Sequence, residues 1–202
     1  VGASEIGGDL SVSDRVMVAV TVLGDLDGRA PVTRSGARVG DVVAVAGRLG
    51  WSVLGLTGLQ RGISTDPELA AAYRCPLPPY SAGIEAGRSG ATSMIDVSDG
   101  LLADAAHIAE ASEVTIALEA TALQPDHQVL VGARQLGLSV LEVVLTGGED
   151  HALLATFPDV QGLPPAFRSI GRVVTRGAHP VLVDGAPHAG TPGHDHFRPT
   201  AP

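Results

Sequence analysis

Apolar and polar positions divide the chain into short blocks. Val16-Met17-Val18-Ala19-Val20-Thr21-Val22-Leu23 is dense in β-branched residues and stops at Gly24-Asp25, which predicts a buried strand. Residues 28–41 read as a linker holding a basic, hairpin-like turn, and Asp41 to Ala46 as the first strand of the next domain. Ser52 to Leu59 and Pro67 to Tyr73 carry helical spacing, the second with Asp66 as cap and Pro67 at the first position. Pro76, Pro78 and Pro79 then force an extended loop, and Ser81 to Arg88 is expected to be a helix.

The second half alternates in the same way. Ser93-Met94-Ile95 is a short apolar run, and Leu101, Leu102, Ala105, Ile108 and Ala109 follow at helical spacing. Val114 to Leu118 reads as a strand and Asp126 to Leu136 as a helix. His151 to Phe157 is strand-like and is expected to pair with Arg168 to Val174. Val181-Leu182-Val183 ends in Asp184-Gly185, a hairpin signal returning toward Pro187-His188. Strands interleaved with helices predict an α+β or α/β layered domain, and no repeat of fixed period is present.

Composition supports a folded domain. With 202 residues, 45% of them hydrophobic, and a mean hydropathy of +0.25, the chain can bury a sizeable core. The formal net charge of −9 works against nucleic acid or an anionic membrane surface as a partner. Any handling of phosphate must therefore be local. Cys75 is the only cysteine, which excludes an intrachain disulfide, and it reads as a partly buried thiol in a Pro-rich turn. The apolar stretches are broken by Gly or charge before spanning length. The start, Val1-Gly2-Ala3-Ser4-Glu5, has neither a basic nor a hydrophobic region, so no signal peptide is read there and the cytoplasm is the default compartment.

The richest chemistry lies in Ile95-Asp96-Val97-Ser98-Asp99-Gly100, where a strand end turns into a helix start. Ser98 or Asp99 can accept from the N–H groups of the first helical turn, and such a terminus favours phosphate oxygens or a bridging cation. Capping explains one of these residues but not both carboxylates, since Asp96 precedes the cap. A hard divalent ion such as Mg2+ would offset the cost of an unpaired carboxylate there. Cap-and-turn and metal site both stand on this pattern. Two further Gly-acid motifs, Gly7-Gly8-Asp9 and Gly147-Gly148-Glu149-Asp150, combine close backbone approach with carboxylates, although each alone is also a common turn composition.

Taken in order, these motifs resemble the thiamine-monophosphate kinases of the aminoimidazole ribonucleotide synthetase-like superfamily. The resemblance rests on Gly7-Gly8-Asp9, Thr33-Arg34-Ser35-Gly36-Ala37 with Gly40-Asp41, Gly47 to Gly55, Asp96 to Leu101, and Thr146 to Asp150, and runs from Gly7 to about Phe197. It implies a C-terminal domain of that superfamily over residues 29–202, preceded at 1–28 by a remnant strand of an N-terminal ATP-binding and dimerisation domain. A longer preceding region is accordingly expected, with little activity from this chain alone. The implied reaction moves the γ-phosphoryl of ATP onto the phosphate of thiamine monophosphate, giving thiamine diphosphate, in a cytoplasmic homodimer. Asp9, Asp96 and Asp99 would hold Mg2+; Gly7, Gly8, Arg34 and Ser98 would contact ATP; Glu149 and Phe197 would contact the thiamine, with Asp150 a second carboxylate there. A phosphate nucleophile needs no general base, and none is assigned.

By itself Arg34 reads as readily as a solvated linker arginine; the family pattern gives it the nucleotide. In the family the tail folds over the thiamine through a Gly-aromatic-x-x-Phe pattern. Gly193-His194-Asp195-His196-Phe197 keeps the phenylalanine, suited to a cationic ring, but has His194 at the first aromatic position. His188, His194 and His196 read as adventitious metal chelators, not a native site. His107 and His127 read as helix residues, His151 stands where related kinases carry tyrosine, and Trp51 where a small residue is common. The rival readings are an ATP-dependent ligase of the same superfamily and a non-catalytic nucleotide-binding remnant.

Overall fold

The computed structural model describes residues 3–194. The chain divides into a short N-terminal unit ending at Pro31 and a larger unit beginning at Val32.

Among its described residues the N-terminal unit contains no helix or strand. Its one closed turn brings the Arg29 N–H to the Leu26 carbonyl at 3.1 Å, with Asp27 and Gly28 both at positive φ. The expected buried strand at 16–23 is not formed: Val16 is 97% exposed and Val22 82%. Composition favours a strand there, but a strand exists only where a partner edge takes its N–H and C=O groups, and no described strand pairs with it. Phe197 and His196 lie outside the described residues.

The larger unit runs β1 (Val42–Ala46), α1 (Trp51–Arg61), α2 (Pro67–Arg74), α3 (Tyr80–Arg88), β2 (Ser93–Val97), α4 (Leu101–Ala111), β3 (Val114–Leu118), α5 (His127–Leu136), α6 (Val140–Thr146), β4 (Ala152–Phe157), β5 (Phe167–Thr175) and β6 (Val181–Val183). The α+β layered expectation holds. The six strands form one sheet in the order β2-β4-β1-β5-β3-β6, antiparallel except for the parallel β3–β6 pair.

β1 is buried along its whole length, as its Val-Val-Ala-Val-Ala sequence demands of a central strand. Its residues alternate between two apolar layers. Val43 and Val45 join the main core with Leu54, Leu69, Leu101, Ile108 and Leu154. Ala44 and Ala46 face the other side with Ala82, Ala86, Phe157 and Phe167. The two phenylalanines meet edge to face, with centroids 5.2 Å apart.

The expected pairing of β4 with β5 is not observed, because β1 lies between them and pairs with both. Hydrophobicity marked all three as strands, but adjacency is decided by which strand can be covered on both faces and both edges. The Asp184-Gly185 turn is present, with Val183 and Ala186 exchanging hydrogen bonds at 2.8 and 3.0 Å, though the return ends after that single bridge. Cys75, expected partly buried, is exposed.

Helix ends follow local chemistry. Asp66 accepts from the Glu68 N–H at 2.9 Å with Pro67 at the first position, as expected. A further helix, α6, emerges from the apolar run at 143–145 and is capped by Ser139. No single described helix is long and apolar enough to cross a membrane. The bent pair α5 and α6, which together reach that length, turns through 111° and buries Val129, Ala133, Val143 and Val144 in the core.

Candidate active site

β2 delivers its last residue, Val97, into the core and then turns sharply through Ser98, Asp99 and Gly100 into α4. Gly100 adopts φ 125, a conformation that strains any residue with a Cβ. Neither Ser98 nor Asp99 is the helix cap. Gly100 holds that position, and Asp104 in the first turn of α4 reaches back so that its Oδ2 accepts from the N–H groups of Ser98, Asp99 and Gly100 at 2.9, 3.0 and 3.2 Å. Burial pushes the Asp104 carboxyl above its ordinary pKa, while the Asp99 and Ser98 amide bonds pull it back. The loop amides are therefore already matched by a buried carboxylate. Together with Asp96 and Asp99, that carboxylate makes the turn locally acidic, which suits a cation that could bridge to phosphate.

The loop carbonyls are also claimed. The His151 N–H donates to Val97 O at 2.9 Å, the Glu149 N–H to Ser98 O at 2.8 Å, and the His194 N–H to Asp99 O at 2.8 Å. The segment Thr146 to His151 is thus laced onto the β2–α4 turn. Gly148 makes this possible, since a Cβ there would lie 2.5 Å from the Ser98 carbonyl oxygen. The glycine pair was expected to let backbone approach a ligand. Gly148 abuts this turn and Gly147 abuts Val143 and Val53, so both serve packing within the chain, and Gly148 also lines a pocket.

Glu149 and His151 both hold positive φ, at 64° and 51°. Such strain persists only where surrounding contacts over-determine the backbone. Between them Asp150 points inward and accepts from the Gly50 and Ser52 N–H groups, capping α1. Burial raises its carboxyl to about 6. Asp150, expected as a second substrate carboxylate, is instead a long-range helix cap.

The side chains left facing outward form the candidate site. His151 lies between two acids, with Nδ1 3.4 Å from Asp96 Oδ2 and Nε2 3.8 Å from Glu149 Oε2. Asp99, Asp104 and His107 bring one ligand atom each within 4.8 Å of one another. Arg34 is exposed and shares a depression of about 490 Å³ with Thr33, Ser35, Met94, Ile95, Asp96 and Ala111. The Arg34 segment is no loose linker: the Met94 N–H donates to Thr33 O, while Ser112 Oγ accepts from Gly36 and Ala37 and donates to Arg34 O. A second pocket, of about 600 Å³, is lined by Ser52, Val53, Leu56, Tyr73, Ser98, Thr146, Gly148, Glu149, Gly193 and His194.

Ser98, Glu149 and His194 are therefore brought to one pocket, and Arg34 and Asp96 to one depression. Gly7, Gly8 and Asp9 belong to the other unit. Asp104 and the wedged position of His151 escaped the sequence reading. The available signal for Asp104 was an acid in the first turn of a helix opened by glycine. Trp51 is core: it donates from Nε1 to Asp126 at 2.9 Å, and the Arg48 guanidinium lies 3.9 Å above its ring.

Comparison with known proteins starts from this fold. The structure of AaThiL complexed with AMPPCP and TMP superposes with a TM-score of 0.75 at 33% identity, over 82% of this chain and 54% of that one. Hydrogenase maturation protein HypE in complex with ATP shares the fold alone, with a TM-score of 0.61 at 19% identity over 75% of this chain and 49% of that one. The larger unit is thus of the aminoimidazole ribonucleotide synthetase-like fold. Within that class the chain resembles the thiamine-monophosphate kinases: the Mycobacterium tuberculosis thiamine-monophosphate kinase is 50% identical over 198 residues, which is 98% of this chain. The chain spans 59% of the length of that relative. No family model matches the chain.

Proposed function

We propose that the chain serves the Mg2+-assisted transfer of the γ-phosphoryl group of ATP to thiamine monophosphate, giving thiamine diphosphate and ADP. The observation that carries this reading is the 600 Å³ pocket at the laced loops. Val53, Leu56 and Tyr73 offer it an apolar side for a flat ring, Glu149 a carboxylate for a cationic one, and Ser98 a direct link to the acidic turn. The relative named thiamine-monophosphate kinase and the structure holding AMPPCP and TMP agree with that chemistry.

The donor set fits Mg2+. Asp96 near the end of β2 is exposed and Asp99 in the turn after it is half-buried, and both are hard carboxylate donors. Bound there, Mg2+ would neutralise phosphate charge that otherwise keeps two anionic substrates apart. Arg34, across the shared depression from Asp96, would pair with ATP phosphate oxygens, and Ser98 would orient them. Glu149 would hold the thiamine end. Gly7 and Gly8 for ATP, Asp9 for Mg2+ and Phe197 for the thiamine ring are carried by sequence pattern alone. The acceptor phosphate oxygen attacks the γ-phosphorus in line as the bond to the β-phosphate oxygen breaks, so no side chain need remove a proton. Homodimerisation and a cytoplasmic location belong to the same reading and rest on the resemblance.

Isothermal titration of this chain with Mg2+ and AMPPCP, with and without thiamine monophosphate, tests it. Saturable, Mg2+-dependent binding is expected; a folded sample that binds neither ligand removes the assignment.

A further inference from the structure

The segment that follows the Asp184-Gly185 turn touches α6 before it reaches the pocket. Near its start, the His188 side chain is only 16% exposed, and its Nε2 is 3.4 Å from Glu142 Oε2 on the first turn of α6. That nitrogen is fully enclosed and makes no aligned hydrogen bond, so the Glu142 carboxylate is the charged group it reaches among the described residues. Buried polar atoms are almost always matched, which makes this contact the natural one to tighten. The far end of the segment is held by the His194 N–H on Asp99 O at 2.8 Å. Its landing is close: a Cβ on Gly193 would lie 2.2 Å from that same carbonyl oxygen. Gly193 and His194 then form one wall of the 600 Å³ pocket.

We propose that Glu142 and His188 form a clasp that seats residues 186–194 as the movable wall of this pocket, making both positioning residues for its ligand. The inference rests on reading the pocket as the thiamine monophosphate site, and neither residue touches that ligand. An irregular segment with few backbone hydrogen bonds opens easily, so its position depends on the side chains that pin it. His188 pins the start to α6, and the His194 amide pins the end to the β2–α4 turn. Glu142 also stands three residues after the Ser139 cap, where a glutamate commonly supports the helix start. A capping role alone would therefore lower stability without moving the segment.

Amide hydrogen exchange of residues 186–194, read by mass spectrometry on the whole chain, separates these roles. Glu142→Ala and His188→Ala are expected to speed exchange at His194 by about tenfold and to weaken thiamine monophosphate binding by a similar factor, with AMPPCP affinity unchanged. Glu142→Gln, which keeps the polar contact and the helix start, is expected to recover most of the protection. Unchanged exchange in Glu142→Ala overturns the clasp. Should His188→Ala fail to fold, Glu142→Ala still decides the matter, since the Glu142 side chain is 53% exposed. Absence of thiamine monophosphate binding by the unsubstituted chain would remove the function proposed above, while the exchange data would still decide the clasp.

Discussion

Two helices of the larger unit start in the same way and are capped in opposite ways. α1 and α4 both follow a glycine at positive φ, Gly50 and Gly100, and neither glycine can offer a side-chain cap. In each case a buried aspartate accepts from amides at or just before the helix start. For α4 it is Asp104, four residues inside the helix and a local partner. For α1 it is Asp150, a hundred residues away and reached only because the Thr146 to His151 segment folds over the helix start. The local acceptor shapes the turn that carries Ser98 and Asp99. The remote cap ties that turn's neighbour to a different helix, so forming the site and completing the core are one event.

The contrast can be broken most severely at Asp150. Asp150→Ala leaves the Gly50 and Ser52 amides buried without an acceptor and is expected to cost about 2–4 kcal/mol in urea unfolding. Its titration gives a sharper sign. Because burial raises its carboxyl from 3.8 to about 6, the native chain keeps a proton that the unfolded chain has lost within that window. Its contribution to stability therefore falls as pH rises from near 4 to near 6. Asp150→Asn should flatten that part of the stability profile; an unaltered slope would mean another group titrates there.

Asp104→Ala comes next, at about 2–3 kcal/mol, with the turn amides re-exposed and Mg2+–AMPPCP binding reduced. If stability falls while binding holds, the local acceptor is structural only. Asp99→Asn isolates chemistry from folding: Mg2+-dependent nucleotide binding should be lost with little change in melting temperature. Retained affinity in calorimetry would remove Asp99 from the site. Arg34→Ala is the mildest, an exposed side chain whose loss is expected to weaken AMPPCP about tenfold, or roughly 1.4 kcal/mol, without altering stability. Equal weakening of thiamine monophosphate would show that Arg34 does not distinguish the two ligands.

Much of this was legible in the residues. The run Val42-Val43-Ala44-Val45-Ala46 is apolar on both faces and could only be a buried strand. Asp66-Pro67 announced α2, and Asp184-Gly185 its turn. The acidic turn after β2 was visible as chemistry. Asp104 apart, what stayed hidden depended on partners distant in sequence. The residues at 16–23 have strand composition but no described edge to pair with. β4 and β5 are both strands, yet they do not pair, because β1 lies between them. Asp150 carries the same motif as Glu149 but turns the other way, because the positive φ values on either side of it aim one carboxylate into the core and leave the other exposed.

The sequence by itself determined the class of local structure and the kind of chemistry: period, caps and Gly-acid turns act over a few residues, and their physics is contained in those residues. Only the tertiary structure decided which carboxylate caps, which glycine makes room for neighbouring backbone, and which side chains share a pocket. Apart from the local contacts of Asp104, those outcomes turn on burial and on partners some fifty to a hundred residues apart.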